Sequence, residues 1–149
     1  MKVSVLFVCT HNSARSQMAE ELLRIHGGDR FDPESAGYEP GDSVSPLVVE
    51  VMGEMGVDIG KKRPRDVFKI FEDGAKYDYV ITVCKECLEN GCPILPSEKE
   101  FLRWGFDDPE ALEGTYEEKI EGTRKIKKDI EKRVLEFIGY ASDKGKITL

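Results

Sequence analysis

The stretch VLFVCTHNSARSQMAE, residues 5–20, decides how the chain folds. Its opening apolar run closes at Cys9, the pattern of a buried strand. Arg15 stands six residues on, and from Ser16 the pattern turns helical. Met18, Ala19, Leu22, Leu23 and Ile25 share one helix face, and Gly27-Gly28 supply the stop. A strand that feeds a helix through a short polar loop begins a β-α unit, so the rest of the chain is read for more of them.

Residues 2–8 form the first expected strand and residues 31–35 the second. Ser45 followed by Pro46 reads as a helix start, with the helix running to about residue 55. Residues 79–83 give a third strand that ends at Cys84. Residues 87–96, CLENGCPILP, read as a loop held by Gly91, Pro93 and Pro96. A fourth strand over residues 101–106 ends at Asp107-Asp108-Pro109. Thr115 and Glu118 have capping-box spacing, and Ile120, Ile126, Ile130, Val134, Phe137 and Ile138 mark a long final helix that Gly122 is expected to break early. The order β-α-β-α-β-β-α predicts one α/β domain over residues 1–149, a three-layer fold with a four-stranded parallel sheet flanked by helices. Such sheets bind ligands beyond the carboxyl ends of their strands. Cys9, Cys84 and Asp108 all fall there.

Composition narrows the partners. A 149-residue chain with 40% hydrophobic and 34% charged residues suits a soluble globular protein. Residues 1–9 are too short an apolar run for a transmembrane segment and carry no signal-peptide cleavage pattern, so a cytoplasmic location is expected. The net charge of −7 argues against nucleic acid or a membrane surface as partner, so any bound anion needs a local site. Nothing calls for an oligomer, and a monomer is expected. Residues 61–65, KKRPR, read as a solvated basic loop, or as an attractor for an anion if they lie near the site mouth.

The Cys-x5-Arg pattern carries chemistry. A loop between strand and helix aims backbone N–H groups at one anion, and the helix N-terminus adds partial positive charge. Thr10, His11, Asn12, Ser13 and Ala14 line that loop, with Asn12 suited to a left-handed turn. Arg15 grips two oxygens of a tetrahedral oxyanion. The same field favours a thiolate at Cys9, and Ser16 is placed to donate a hydroxyl to it. The bland alternative is a strand-end thiol beside an ion-paired arginine. The other cysteines, Cys84, Cys87 and Cys92, fall within nine residues. Redox chemistry is one reading. The other is a metal site, in which His11 or His26 would have to supply the fourth zinc ligand.

With these residues in place, VCTHNSARSQMAE resembles the phosphate loop of low-molecular-weight tyrosine phosphatases and, more closely, of the thioredoxin-coupled arsenate reductases that share their fold. ITVCKECLENGCPILP and WGFDDPE resemble the arsenate reductase signatures in the same order. The likeness implies a cysteine relay. Cys9 attacks arsenate, Asp108 protonates the leaving oxygen, Cys84 attacks Cys9 and releases arsenite, and Cys92 attacks Cys84 to leave a Cys84–Cys92 disulfide. Thioredoxin or a similar thiol reductant then resets the chain. The resemblance implies no tightly bound cofactor, apart from a potassium ion that some members hold at positions matching Asn12, Glu20, Ser35 and Asp66. The chain departs from the pattern in places. The Cys84–Cys92 spacing is one residue longer than usual, and Cys87 is an extra thiol. Cys87 offers an alternative to Cys92 as final resolving residue, or a Cys84–Cys87 disulfide, with Cys92 favoured because the PILP that follows matches the family best. His11 stands where many members have glycine, and Ala14 where some have cysteine. A phosphatase for phosphotyrosine or small phosphate esters is the alternative, since it needs only Cys9, Arg15 and Asp108. Glu110 stands where phosphatases of this fold commonly carry an aromatic residue. A thiol- or metal-binding sensor without turnover is the third reading.

Overall fold

Four parallel strands form the centre of the computed structural model, which describes residues 2–147, with side chains described to residue 142. They are β1 (Val3–Cys9), β2 (Phe31–Gly37), β3 (Tyr79–Cys84) and β4 (Glu100–Phe106), in the order β2-β1-β3-β4. The register runs from Val3 opposite Phe31 to Cys9 opposite Gly37, and from Val5 opposite Tyr79 to Val8 opposite Thr82. Every carboxyl end therefore lies on one edge. This is the expected four-stranded parallel sheet.

The helices are α1 (Arg15–Gly27), α2 (Pro46–Gly53), α3 (Val67–Glu72), α4 (Lys85–Asn90) and α5 (Tyr116–Ile147). Alternation along the strands sorts them into two layers. Val5, Phe7, Cys9, Tyr79, Ile81 and Val83 share a core cluster with Met18, Leu22 and Leu23 of α1, Val48 and Met52 of α2, and Ile130, Val134 and Phe137 of α5. Leu6, Val8 and Val80 point the other way and pack with Val67 and Ile70 of α3. With both faces covered, the central strands read as continuous apolar runs. Trp104 is buried between Phe7 and Phe137, as a core residue.

Three expectations need correction. Residues 85–90 are helical, although the sequence pattern predicts only a loop between β3 and β4. Parallel neighbours require a crossover, and α4 supplies it. Gly105 makes room for α4, since a Cβ there would meet Leu88 at 2.3 Å. Short α3 was also missed, although Asp66 caps it by accepting from the Phe68 and Lys69 N–H groups. Gly122 does not break α5. It lies inside the helix against Leu112, where a Cβ would come within 2.9 Å. The capping box forms as expected: Glu118 N–H donates to Thr115 Oγ1, and Thr115 N–H to Glu118 Oε1.

Candidate active site

The loop between β1 and α1 turns sharply at Asn12, whose φ of 54° is the one positive φ of a non-glycine residue among the described residues. Asparagine tolerates this left-handed geometry better than most residues. Gln17 holds the turn, donating to Asn12 O and Oδ1, while Asn12 Oδ1 also accepts from the Arg65 N–H. Gly37 at the end of β2 lets the loop lie close, since a Cβ there would stand 2.8 Å from Thr10 O and 2.9 Å from Asn12 N. The loop's shape thus rests on Gly37 and Gln17 as well as on its own residues.

Cys9 Sγ is buried and held by two groups. Ser16 Oγ lies 2.9 Å away, and the Asn12 N–H donates to the sulfur over 3.2 Å. Because Asn12 Nδ2 donates to Ser16 Oγ at 2.8 Å, the serine oxygen acts as acceptor there and its own hydrogen is free for Cys9. Negative charge on the sulfur is stabilised by both contacts. The first turn of α1 has no side-chain cap, so its free N–H groups form the positive end of the helix dipole, where an anion is favoured.

Arg15 is buried, and its guanidinium joins the loop to the other strand ends. Its Nη1 donates to the Phe106 carbonyl at the end of β4, and Asp108 Oδ2 is 3.7 Å from Nη2. Its buried Nε has no protein partner, a donor still open to an oxyanion. Asp108 itself caps the turn that follows by accepting from Glu110 N–H. Cys9, Ser16, Arg15 and Asp108 are therefore brought together as expected. Thr10 and Ser13 also face this edge, but each of their hydroxyls is bonded to a carboxylate. His11 bonds the Glu39 carbonyl instead, and Ala14 is buried.

Glu86, on the first turn of α4, was not anticipated. Its two oxygens accept from Arg15 Nη1 and Nη2, both at 2.8 Å, and from Thr10 Oγ1 at 2.9 Å. The forked bond from Arg15 holds its carboxyl down at about 2 against the opposing effect of burial. The carboxylate takes the same bidentate donors that a tetrahedral oxyanion needs, so the two compete. The Glu86 side chain is 42% exposed, which screens the pair and limits its strength to about 1 kcal/mol. Glu86→Gln should thus tighten inorganic phosphate binding about fivefold by calorimetry, and unchanged or weaker binding would contradict the competition.

The remaining cysteines stand at the next strand end. Cys84 closes β3 and is fully buried, and Cys87 follows one helical turn later. Cys92 is joined to Cys87 in a disulfide, whereas the expected partner of Cys92 was Cys84. The reason is the missed helix. The turn of α4 places Cys87 between the other two, with Cys84 Sγ 2.8 Å from Cys87 Sγ. Cys9 and Cys84 are free thiols. Burial, and then the charge of Cys9, push the Cys84 thiol up to about 11. Tyr38, just beyond β2, donates to the Pro93 carbonyl and anchors the loop that carries Cys92.

The metal readings fare less well. Neither histidine joins the cysteine cluster, for His11 bonds Glu39 and His26 pairs with Glu131. Around Asn12, Glu20 and Ser35, an ammonium already stands where a cation would sit: Lys62 Nζ is 2.7 Å from Glu20 Oε2. Glu20 Oε1 accepts from the Ser35 hydroxyl and Arg24 shares Oε2, while Asp66 caps α3. These groups do not fit a potassium ion. The basic loop is equally committed, with Lys62 on Glu20 and Glu21 and Arg65 on Glu34.

A thiol flanked by a hydroxyl, a backbone N–H and a buried arginine stands where β1 passes into α1, and the model of the low molecular weight phosphotyrosine protein phosphatases matches residues 4–145. The chain belongs to this family. Within it, the chain is 41% identical to an arsenate reductase of Halalkalibacterium halodurans, over 91% of this chain and 95% of that one. A solved arsenate reductase in the phosphate-binding state matches with a TM-score of 0.75 and 30% identity, covering 94% of this chain and 98% of the other. The thioredoxin-dependent arsenate reductase of Corynebacterium glutamicum matches with a TM-score of 0.60 and 31% identity, over 90% of this chain and 62% of the other. The phosphatase fold and the arsenate reductase likeness expected from the motifs are both present. Among the described residues, no helix is long and apolar enough to cross a membrane.

Proposed function

We propose that the chain reduces arsenate to arsenite in the cytoplasm, as a monomer, with electrons returned by thioredoxin or a similar thiol reductant. One observation carries this reading. The Cys9 loop shares its edge of the sheet with a buried free thiol, Cys84, that leads to two further cysteines. A phosphatase has no use for that second set.

Cys9 attacks arsenic while Arg15 and the first turn of α1 hold the oxyanion. Asp108, within reach of Arg15, protonates the oxygen that leaves as water. Cys84 then attacks Cys9 Sγ. The sulfur–arsenic bond breaks, its electron pair stays on arsenic, and arsenite departs. Cys9 and Cys84 are left as a disulfide that downstream thiols resolve by exchange. The test is arsenate-dependent NADPH oxidation coupled through thioredoxin and its reductase. Silence with every thiol donor overturns the reading.

Phosphate-ester hydrolysis is the second reading, favoured by the Cys9, Arg15 and Asp108 set. Against it, the Glu110 carboxylate accepts from Ser13 at the loop itself, adding negative charge where an aryl phosphate would approach. Aryl phosphate turnover unaffected by Cys84→Ser would favour it.

The Lys62–Glu20 pair bears on cofactors. With an ammonium built in, replacing potassium by sodium at constant ionic strength should leave kcat/KM within about twofold. A larger dependence on potassium would show that the ion displaces Lys62.

A further inference from the structure

Resting on that reading, we propose that Cys87 is a further redox residue standing between Cys84 and Cys92, and that the Cys87–Cys92 disulfide is a store that frees Cys9 and Cys84 to reduce a second arsenate.

The placement carries it. The three sulfurs lie within 4.8 Å of one another. Cys84 Sγ contacts Cys87 Sγ at 2.8 Å, and Cys87 is the residue joined to Cys92. Exposure rises along the same series: Cys84 is fully buried, Cys87 is 2% exposed, and Cys92 is half-buried. A soluble reductant therefore reaches Cys92 first. The two cysteines left free are the pair that the chemistry at arsenic consumes.

The exchanges balance. The first arsenate leaves a Cys9–Cys84 disulfide, its two electrons having come from those two thiols. The Cys87 thiolate attacks Cys84 Sγ, a Cys84–Cys87 bond forms, and Cys9 leaves as thiolate. The Cys92 thiolate attacks Cys87 Sγ, the Cys87–Cys92 bond forms, and Cys84 leaves as thiolate. Buried Cys84 takes up a proton once it has left, so the restored site holds it as the thiol. Net, Cys87 and Cys92 have lost two electrons while Cys9 and Cys84 are restored. The restored pair can then supply two electrons to another arsenate, ending with both disulfides in one chain.

The capacity is countable. Fully reduced protein is mixed anaerobically with excess arsenate and no reductant, and arsenite is measured per chain. Two arsenites are expected, with Cys9–Cys84 and Cys87–Cys92 found together by mass spectrometry. Cys87→Ser and Cys92→Ser should each halve the yield to one. One arsenite from the unaltered protein, ending in Cys84–Cys92 or Cys84–Cys87, overturns the store but leaves arsenate reduction standing. No arsenite here, with no turnover in the presence of thioredoxin and its reductase, overturns both.

Discussion

Arg15→Lys should lower kcat/KM for arsenate about 10²- to 10³-fold, the range found when one preorganised oxyanion donor is lost. Lysine keeps the charge, so the loss isolates the fork. The guanidinium makes three kinds of contact from one buried position: to Glu86, to the Phe106 carbonyl, and to Asp108. An ammonium is a point charge on a flexible stem and cannot span them. Its unpartnered Nε, the donor still open to substrate, disappears as well. Phosphate affinity should fall in parallel, because the fork binds ground state and transition state alike. Retention of more than a tenth of the activity would mean that the loop N–H groups do most of the holding. Stability should change little, since the strongest partner left behind, Glu86, is solvated.

The two halves of the site were legible to different degrees, for physical reasons. Cys9, Arg15 and Ser16 were readable because they belong to one short stretch whose strand-to-helix switch fixes their directions. The left-handed turn at Asn12 was readable from its side chain. Asp108 was readable only through its place after a strand. Glu86 was not, because its meaning depends on α4. A six-residue helix has too little periodicity to stand out from CLENGCPILP, although Gly91 with φ of 80° marks its end as such glycines do. The parallel sheet itself demanded a crossover between β3 and β4, and that constraint was the overlooked signal. The same omission hid the cysteine pairing. The resemblance implied Cys84 with Cys92, while the helical turn sets Cys87 between them. Gly37 and Gln17 support the loop from β2 and from within α1, and only the folded arrangement shows what they touch.

Cys84→Ser should abolish arsenite release, lowering turnover by about 10⁴-fold or more, as removal of a covalent nucleophile does. A hydroxyl in that buried place cannot displace arsenic from Cys9 sulfur. The variant should instead accumulate the Cys9–arsenic adduct, visible by mass spectrometry of protein quenched in acid. The intact protein offers a pH test of the same step. Burial holds the Cys84 thiol high, at about 11 in the site without arsenic, and burial persists in the adduct, so it is mostly protonated at neutral pH. Only the thiolate attacks, and its fraction rises about tenfold per pH unit below that value. Single-turnover arsenite release should therefore climb steadily from about pH 6 to 9, where the step limits the rate. A flat profile over that range would place the limit elsewhere, at substrate entry past Glu86. Pairing the two measurements separates the causes. If Glu86→Gln steepens a flat profile, the carboxylate on Arg15 was the barrier, and the attack by Cys84 becomes visible once it is removed.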